Sequence, residues 1–297
     1  MRNSPTQPTE PAERIRQRSI CTIGDLLLDV LVLPDAPLAT DADTPATIRF
    51  SPGGQAANVA AWASALGARS RLICKRGTDV SSELAVADLA RHGVEIRGPV
   101  AEGRSGVVVS LGDADNHRTM ASDRGVAAQL SPAEVDPSWV HGFDVLHVSG
   151  YCLLRDSMAE AAIQVAKHAA RVTVDLASAR DIALVGAERF LARLRALSPA
   201  LVFATEAERM AVPDFDASWV IKLGSRGARF PEGFYPAPSV VAVDTTGAGD
   251  ALAAGYLVGG PELALEAAAR CVEIIGAAPA PSGRSSSSRS GRAPSHP

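Results

Sequence analysis

The sequence lacks the features of a membrane, secreted or nucleic-acid-coating protein. No apolar run approaches the roughly 18 residues that a membrane helix needs, and residues 1–18 are polar, without the apolar core of a signal peptide. The formal net charge is −4 over 297 residues, which argues against a protein built to coat nucleic acid or an anionic membrane. These absences predict a cytoplasmic protein that binds neither nucleic acid nor membrane.

Metal-binding and disulfide patterns are also missing. The four cysteines, Cys21, Cys74, Cys152 and Cys271, are far apart, so no C-x-x-C pair predicts a zinc ribbon or a thioredoxin-like site. The six histidines show no metal-ligand spacing either. We therefore expect buried free thiols in a reducing compartment.

The two ends of the chain have too few apolar residues to fold. Residues 1–18 are rich in Pro, Thr, Glu and Arg, and residues 282–297 in Ser, Arg, Gly and Pro. Neither segment can bury enough apolar surface to offset the entropy of ordering. We expect both to be disordered tails that flank one folded domain at residues 19–281.

Within that domain, short apolar runs alternate with helical patterns. The alternation predicts an α/β fold with a mostly parallel sheet covered on both faces by helices. Residues 30–50 and 94–120 break the rhythm, because strand-like segments follow one another there without helices between them. They predict a small antiparallel sheet at the strand ends of the larger domain, where a lid would lie.

The strongest chemical signal is the segment D-T-T-G-A-G-D at residues 244–250, which follows a predicted strand at residues 240–243 and opens a helix. Gly247 and Gly249 leave backbone N–H groups open to an anion, and the helix N-terminus adds partial positive charge. Asp250 lies beside that anion, where it would take a proton from an attacking hydroxyl. An ordinary Gly-rich turn with a capping aspartate is the alternative.

Two other nucleotide motifs do not fit this segment. The third glycine of the dinucleotide fingerprint G-x-G-x-x-G is missing, and no G-K-[ST] sequence occurs anywhere in the chain. A phosphate site here would therefore work without a P-loop lysine.

Two further motifs suit a polyol ligand. The segment S-P-G-G-Q-A-A-N at residues 51–58 places paired glycines before an Ala-rich helix, and the amide of Asn58 both donates to and accepts from hydroxyls. Asp29 falls near the end of the first strand, where a carboxylate would accept sugar hydroxyls. A capping asparagine and a turn aspartate at Asp25 are the alternatives.

Together these motifs resemble the ribokinase/PfkB family of carbohydrate kinases, over about residues 20–279. The resemblance implies a ribokinase-like three-layer α/β/α domain with a small β-sheet lid. It also implies ATP-dependent transfer of the γ-phosphoryl group to a hydroxymethyl group of a small carbohydrate. Gly24 and Asp29 match the family signature G-x-x-x-x-D, and Gly53, Gly54 and Asn58 match G-G-x-x-x-N. Residues 223–227 match L-G-x-x-G, and residues 244–250 match D-T-T-G-A-G-D.

The resemblance also implies roles for individual residues. Asp250 is the general base, beside an anion hole formed by Gly247, Ala248 and Gly249. The acceptor site comprises Asp29, Gly53, Gly54 and Asn58. The ATP site comprises Thr205, Glu208, Lys222, Gly224, Gly227 and Thr246. The implied cation contacts are Glu208, linked indirectly to the Mg²⁺ that arrives with ATP, and Asp244 and Thr246, which match positions that bind an activating monovalent cation, usually K⁺.

The sequence departs from the family pattern at three positions, and one of them, Leu252 in place of a Phe two residues after the base, exchanges one apolar residue for another. Thr205 stands where the family commonly has Asn in N-x-x-E, and Gln55 stands where ribokinases carry Lys, which removes a charge near the acceptor. A nucleoside kinase and a non-catalytic sugar- or nucleotide-binding relative are the alternatives. Aromatic residues are only 4% of the chain, and Phe50 and Tyr151 are the nearest candidates to stack on a nucleobase. We also expect the open face of the lid to pair two copies in a homodimer.

Overall fold

The computed structural model describes residues 17–112 and 118–280. The disorder predicted for residues 1–18 and 282–297 concerns segments that lie, except for residues 17 and 18, outside the described residues. The strands are β1 Ser19–Ile23, β2 Leu27–Pro34, β3 Ala46–Gly53, β4 Arg69–Ile73, β5 Glu95–Arg97, β6 Gly106–Gly112, β7 Arg118–Asp123, β8 Val145–Ser149, β9 Val172–Asp175, β10 Leu201–Thr205, β11 Trp219–Lys222, β12 Ala228–Phe230 and β13 Gly233–Tyr235. The α-helices are α1 Gln55–Ala65, α2 Val80–Arg91, α3 Asp156–Ala166, α4 Ala179–Val185, α5 Ala187–Leu197, α6 Glu206–Ala211, α7 Ala248–Gly259 and α8 Pro261–Val272.

The central sheet has nine strands in the order β13-β12-β11-β10-β9-β8-β1-β4-β5. The pairs from β11 to β5 are parallel, and β12 and β13 add an antiparallel edge. Strands β1 and β8 are buried along their whole length, as central strands covered on both faces must be. The predicted mostly parallel sheet is therefore confirmed.

Two helical layers complete the fold. On one face, Trp62 of α1 packs in a core shared with α7 and α8, and α2 joins α1 in a neighbouring cluster. On the other face, Met158 of α3 and Phe190 of α5 belong to a second core. The carboxyl ends of the parallel strands remain open at one edge, which is where ligands bind in such sheets.

The lid is a four-stranded sheet in the order β3-β2-β6-β7, built from residues 27–53 and 106–123. The β2–β3 and β6–β7 pairs are antiparallel as expected, but β2 and β6 pair in parallel. The prediction was wrong for the start of the segment 94–120. Strand β5 pairs with β4 in the central sheet, because Ile96 packs against the core of α1 and α2.

The strand predicted at residues 240–243 is wrong, since these residues form a loop. The backbone N–H groups of Val243 and Asp244 both donate to the carbonyl of Val272 at the end of α8, at 2.7 and 3.1 Å. The loop is thus fastened to a helix end, and Val241 is 83% exposed. The valines of this loop are therefore not strand residues. Val243 is bonded to the end of α8, and Val240 lines the cavity that is described below.

The remaining sequence expectations concern the cysteines and the membrane. All four cysteines are free and buried, as predicted. Among the helices formed by residues 17–112 and 118–280, none has the length and apolarity to span a bilayer.

Candidate active site

A cavity of about 590 Å³ opens beyond the carboxyl ends of β10 and β11. Four of the residues predicted to bind ATP line it, namely Thr205, Lys222, Gly224 and Gly227. Ala248 and Gly249, two residues of the predicted anion hole, also line it. Its apolar wall comes from Leu252 of α7 and from Leu265, Ala268, Ala269 and Val272 of α8. Two other predicted ATP residues, Glu208 and Thr246, lie outside its lining.

The D-T-T-G-A-G-D segment is held as a tight loop at the start of α7. Gly247 has φ of 78°, and a Cβ atom there would lie 2.5 Å from the Cβ of Ala277, so only glycine fits. Asp244 is buried, and its two oxygens accept the backbone N–H groups of Thr246 and Gly276, both at 2.7 Å. The first turn of α7 presents N–H groups that the helix itself does not use, although the N–H of Ala248 donates to the carbonyl of Thr245 at 3.3 Å.

Asp250 and Asn58 meet across the site. The Asn58 amide nitrogen donates to an Asp250 carboxylate oxygen at 2.8 Å, which joins two motifs 192 residues apart in sequence. The Asn58 amide oxygen is buried without a hydrogen-bond partner among the described residues, and it suits a ligand hydroxyl. Burial raises the pKa of Asp250 to about 6, with the hydrogen bond from Asn58 and the charge of Lys222 acting against it.

The residues predicted to bind the acceptor lie on the lid and at the start of α1. Asp29 lies on β2, the first lid strand, and is 8% exposed. A Cβ atom at Gly53 of the paired strand would lie 2.0 Å from an Asp29 carboxylate oxygen, so Gly53 makes room for this carboxylate. Gly54 follows as the residue before α1, where a Cβ atom would meet the Asp25 carbonyl oxygen at 2.4 Å. Burial raises the pKa of Asp29 to about 6, and Arg124 opposes the shift.

Lys222 brings a positive charge to the lining of this cavity. Its ammonium lies 2.6 Å from a carboxylate oxygen of Asp175, which is fully buried at the end of β9. It also lies 3.2 Å from the Cβ position of Gly249 in the anion loop. Burial works against the Lys222 charge, but Asp175 and Glu208 raise its pKa above the ordinary value. Sequence analysis missed Asp175, although a carboxylate at the end of a buried strand is the same signal that singled out Asp29.

Thr205 and Glu208 form a capping box at the start of α6. The Thr205 N–H donates to a Glu208 carboxylate oxygen at 2.8 Å, and the Glu208 N–H donates to the Thr205 hydroxyl at 3.2 Å. This exchange explains why Thr replaces Asn here, because both residues cap helices well.

Gln55 has a different role from the one its sequence position suggested. Its amide oxygen accepts the Ser149 hydroxyl at 2.7 Å and the Gly150 N–H at 3.1 Å, and its amide nitrogen donates to the Leu176 carbonyl at 3.1 Å. These bonds fasten the start of α1 to the ends of β8 and β9. Gln55 therefore holds α1 against the ends of β8 and β9, and both polar atoms of its amide bind other protein groups.

The sequence profile described as pfkB family carbohydrate kinase matches residues 17–279, which include every residue of the site described above. The chain belongs to this family. An ATP-dependent ribose-1-phosphate kinase of Halopiger xanaduensis is 36% identical over 253 residues, which are 78% of this chain and 83% of that protein.

Solved structures agree with the family assignment. An adenosine kinase of Sinorhizobium meliloti superposes on this pfkB-family chain with a TM-score of 0.78 at 23% identity, over 89% of this chain and 96% of that one. An uncharacterized sugar kinase of Pyrococcus horikoshii in complex with ATP superposes with a TM-score of 0.74 at 25% identity, over 88% and 95% of the two chains. These findings confirm the ribokinase-like fold and an ATP-dependent phosphotransferase with an alcohol group as acceptor, and they set aside the non-catalytic alternative.

Proposed function

We propose that this chain transfers the γ-phosphoryl group of ATP to the hydroxymethyl group of a small sugar, with Asp250 as general base. The observation that carries the proposal is the 2.8 Å hydrogen bond between Asn58 and Asp250. This bond joins the D-T-T-G-A-G-D segment to the G-G-x-x-x-N segment, and the neighbouring Gly249 lines the 590 Å³ cavity, which supports a shared site for the acceptor and ATP. A carboxylate with a pKa of about 6 is also well matched to proton abstraction near neutral pH.

The proposed reaction is an in-line displacement. The acceptor hydroxyl gives its proton to Asp250 as its oxygen bonds to the γ-phosphorus, and the bond to the β–γ bridging oxygen breaks to release ADP. N–H groups in the first turn of α7 and the Lys222 ammonium stabilise charge on the transferring group. Asn58 orients the Asp250 carboxylate through its amide nitrogen and holds an acceptor hydroxyl through its amide oxygen.

Mg²⁺ and K⁺ remain predictions. Mg²⁺ bound with ATP would neutralise charge on the β- and γ-phosphates. Glu208 suits an indirect contact with that ion through water, because one of its oxygens already accepts the Thr205 N–H. Asp244 ties the anion loop to Gly276, and a K⁺ ion bound by Asp244 and Thr246 would stabilise this junction.

A sugar suits the acceptor site better than a nucleoside. Phe50 is 62% exposed and pairs with Val30 on the lid face opposite to Asp29, so it does not reach the acceptor. One face of the Tyr151 ring is covered by the Arg124 guanidinium, whose carbon lies 4.5 Å from the ring centroid. Phe50 is therefore not positioned to stack on a nucleobase at the acceptor site, and one face of the Tyr151 ring is already in contact with Arg124. The ribose-1-phosphate kinase among the relatives supports a pentose unit as acceptor.

The test is ATP consumption by the purified full chain against sugars and nucleosides, with and without K⁺. We expect ADP formation that depends on a sugar, a product phosphorylated on its hydroxymethyl group by ³¹P NMR, and faster turnover with K⁺. Turnover of a nucleoside above that of every sugar would overturn the sugar assignment.

We extend the proposal to assembly and location. The lid face that carries Phe50 also carries Val30, Val109 and Ala121, because these residues lie directly opposite one another across β3, β2, β6 and β7. Ile48, on the same face, is 56% exposed. This apolar face would pair with a second copy in a homodimer, which light scattering tests directly. The proposal also keeps the predicted cytoplasmic location.

A further inference from the structure

A buried hydrogen bond connects α1 with the segment that follows α8. Trp62 of α1 is 1% exposed and packs in the core shared with α7 and α8. Its indole N–H donates to the carbonyl oxygen of Ala277 at 2.8 Å, across 215 positions of sequence. The proposed reaction assigns no role to either residue.

Ala277 lies against the predicted anion hole. It is fully buried, and a Cβ atom at Gly247 would lie 2.5 Å from its Cβ and 2.9 Å from its carbonyl oxygen. The N–H of the preceding Gly276 donates to Asp244 at 2.7 Å. The backbone of Gly247 is therefore packed directly on the residue whose carbonyl Trp62 binds.

The Ala277 carbonyl depends on the indole for its hydrogen bond. The other donor near it in the described part of the chain is the Cys271 thiol, at 3.9 Å, and this thiol lies closer to the Thr246 carbonyl, at 3.3 Å. A thiol is a weak donor with a single hydrogen. Because a buried carbonyl without a donor is unfavourable, the bond from Trp62 holds Ala277 in place.

Trp62 and Asn58 lie on the same face of α1, because side chains four residues apart in a helix stand one above the other. Asn58 donates to the Asp250 carboxylate at 2.8 Å, and Trp62 is connected to Gly247 through Ala277. One helix face therefore holds the D-T-T-G-A-G-D segment at two points. One point is the predicted base, and the other is the first residue of the predicted anion hole.

We infer that Trp62 is a positioning residue for phosphoryl transfer, whose hydrogen bond to Ala277 fixes the predicted anion hole relative to Asp250 and the acceptor motif. The inference rests on the proposed kinase function and adds to it a residue that touches neither substrate. Donors aimed at the transferring group stabilise its charge only when they are held in place beforehand. A small displacement of the hole therefore slows transfer more than it weakens the binding of ATP or acceptor.

The first test is the Trp62→Phe variant, which keeps an aromatic ring in the core and removes the N–H donor. In the full chain kcat should fall by about 10-fold, as for a misplaced reacting group. The KM values for ATP and the sugar should change less than about 2-fold, because Trp62 does not line the nucleotide cavity. The matched control is Trp139→Phe, a partly buried tryptophan in the turn before β8, which should keep the wild-type kcat.

The second test measures the anion hole without a sugar. Fluoroaluminate bound with ADP and Mg²⁺ imitates the phosphoryl group in transfer, so its binding reports on the hole directly. In calorimetric titrations, Trp62→Phe should bind ADP with fluoroaluminate about 10-fold more weakly, while its affinity for ADP alone should change less than about 2-fold. An equal change in both titrations would overturn the inference, since it would show that Trp62 only supports the fold.

Ala277→Gly alters the same contact without removing a large core side chain. It keeps the bond from Trp62 but removes the methyl group next to Gly247, so it should show the same split with a kcat loss of about 3-fold. Unfolding temperatures show which variants remain folded. If Trp62→Phe does not fold, an unchanged kcat in Ala277→Gly overturns the inference.

Two other outcomes separate the inference from the proposed function. An unchanged kcat in folded Trp62→Phe would overturn the inference and leave the kinase function intact. ADP formation that does not depend on any sugar would instead overturn the proposed function. In that case the fluoroaluminate titration alone decides the role of Trp62.

Discussion

The proposed acceptor half and the proposed nucleotide half of the cleft are built from different kinds of residue. The acceptor half relies on buried polar side chains, since Asp25, Asp29 and Asn58 are 3, 8 and 6% exposed. The nucleotide half is lined by glycines, alanines and aliphatic side chains, and Val240 at its rim is 38% exposed. Buried polar groups reject ligands that leave them unpaired, whereas apolar walls discriminate weakly. Substitutions of buried polar and charged side chains should therefore have the largest effects, and substitutions in the apolar wall of the nucleotide half the smallest.

The largest effect is expected at Asp250, where the two halves meet. Asp250→Asn keeps the shape of the side chain but cannot take a proton, so kcat should fall by at least about 10²-fold. The KM for ATP should change less than about 2-fold, because no nucleotide contact is lost. Steady-state kinetics measure both, with Asp156→Asn, an exposed aspartate on α3, as the matched control. Near-normal turnover in Asp250→Asn would remove the base from the mechanism.

The next effect concerns Lys222, which reaches from the nucleotide cavity to the anion loop. Lys222→Met should lower kcat by roughly 10- to 100-fold. It should also lower the free energy of unfolding by about 3–5 kcal/mol, because Asp175, whose pKa burial already raises to about 7, would lose its cationic partner and would have to bind a proton or stay as a buried unpaired charge.

The double variant separates the two roles of Lys222. In Lys222→Met/Asp175→Asn, urea unfolding should recover much of the lost stability, because the buried carboxylate is gone. The kcat should stay low, because the ammonium is still missing. Recovery of kcat together with stability would show that Lys222 only supports the fold.

The pH dependence offers a third test of the acceptor half. The pKa values of Asp29 and Asp250 are both raised to about 6 by burial. A base must be ionised to accept a proton, so kcat/KM should fall as the pH drops through about 6 and be about 10-fold lower at pH 5 than on the plateau. Asn58→Ala removes a hydrogen bond that favours the charged form of Asp250, and should move this limb to higher pH. A limb near pH 4 in the wild type would contradict the burial of these acids.

The alternation of apolar strands and helices was enough to predict the fold class, because it is typical of a parallel sheet covered on both faces. The resemblance to the ribokinase/PfkB family implied a common site for Asp250 and the G-G-x-x-x-N segment, and the Asn58–Asp250 hydrogen bond joins the two. The Lys222–Asp175 pair and the Arg124–Asp25 pair were not predictable in this way. Each joins side chains from separate elements, and no spacing along the chain encodes such a contact. Hydrophobicity alone likewise misassigned residues 240–243 as a strand, because it does not distinguish a sheet from the rim of a cavity.

Substitutions in the loop at residues 240–243 should have the smallest effect on the kinetic parameters. They also test whether the nucleotide half can be changed without affecting the acceptor half. Val240 lines the nucleotide cavity, whereas Val241 is 83% exposed and does not. Val240→Ser should raise the KM for ATP by about 2- to 3-fold, because a partly exposed valine contributes little buried area to the ligand. Its kcat and the KM for the acceptor should not change, and Val241→Ser should leave all three parameters alone. A tenfold fall in kcat for Val240→Ser would mean that the loop shapes the reacting centre, so that the halves act as one unit.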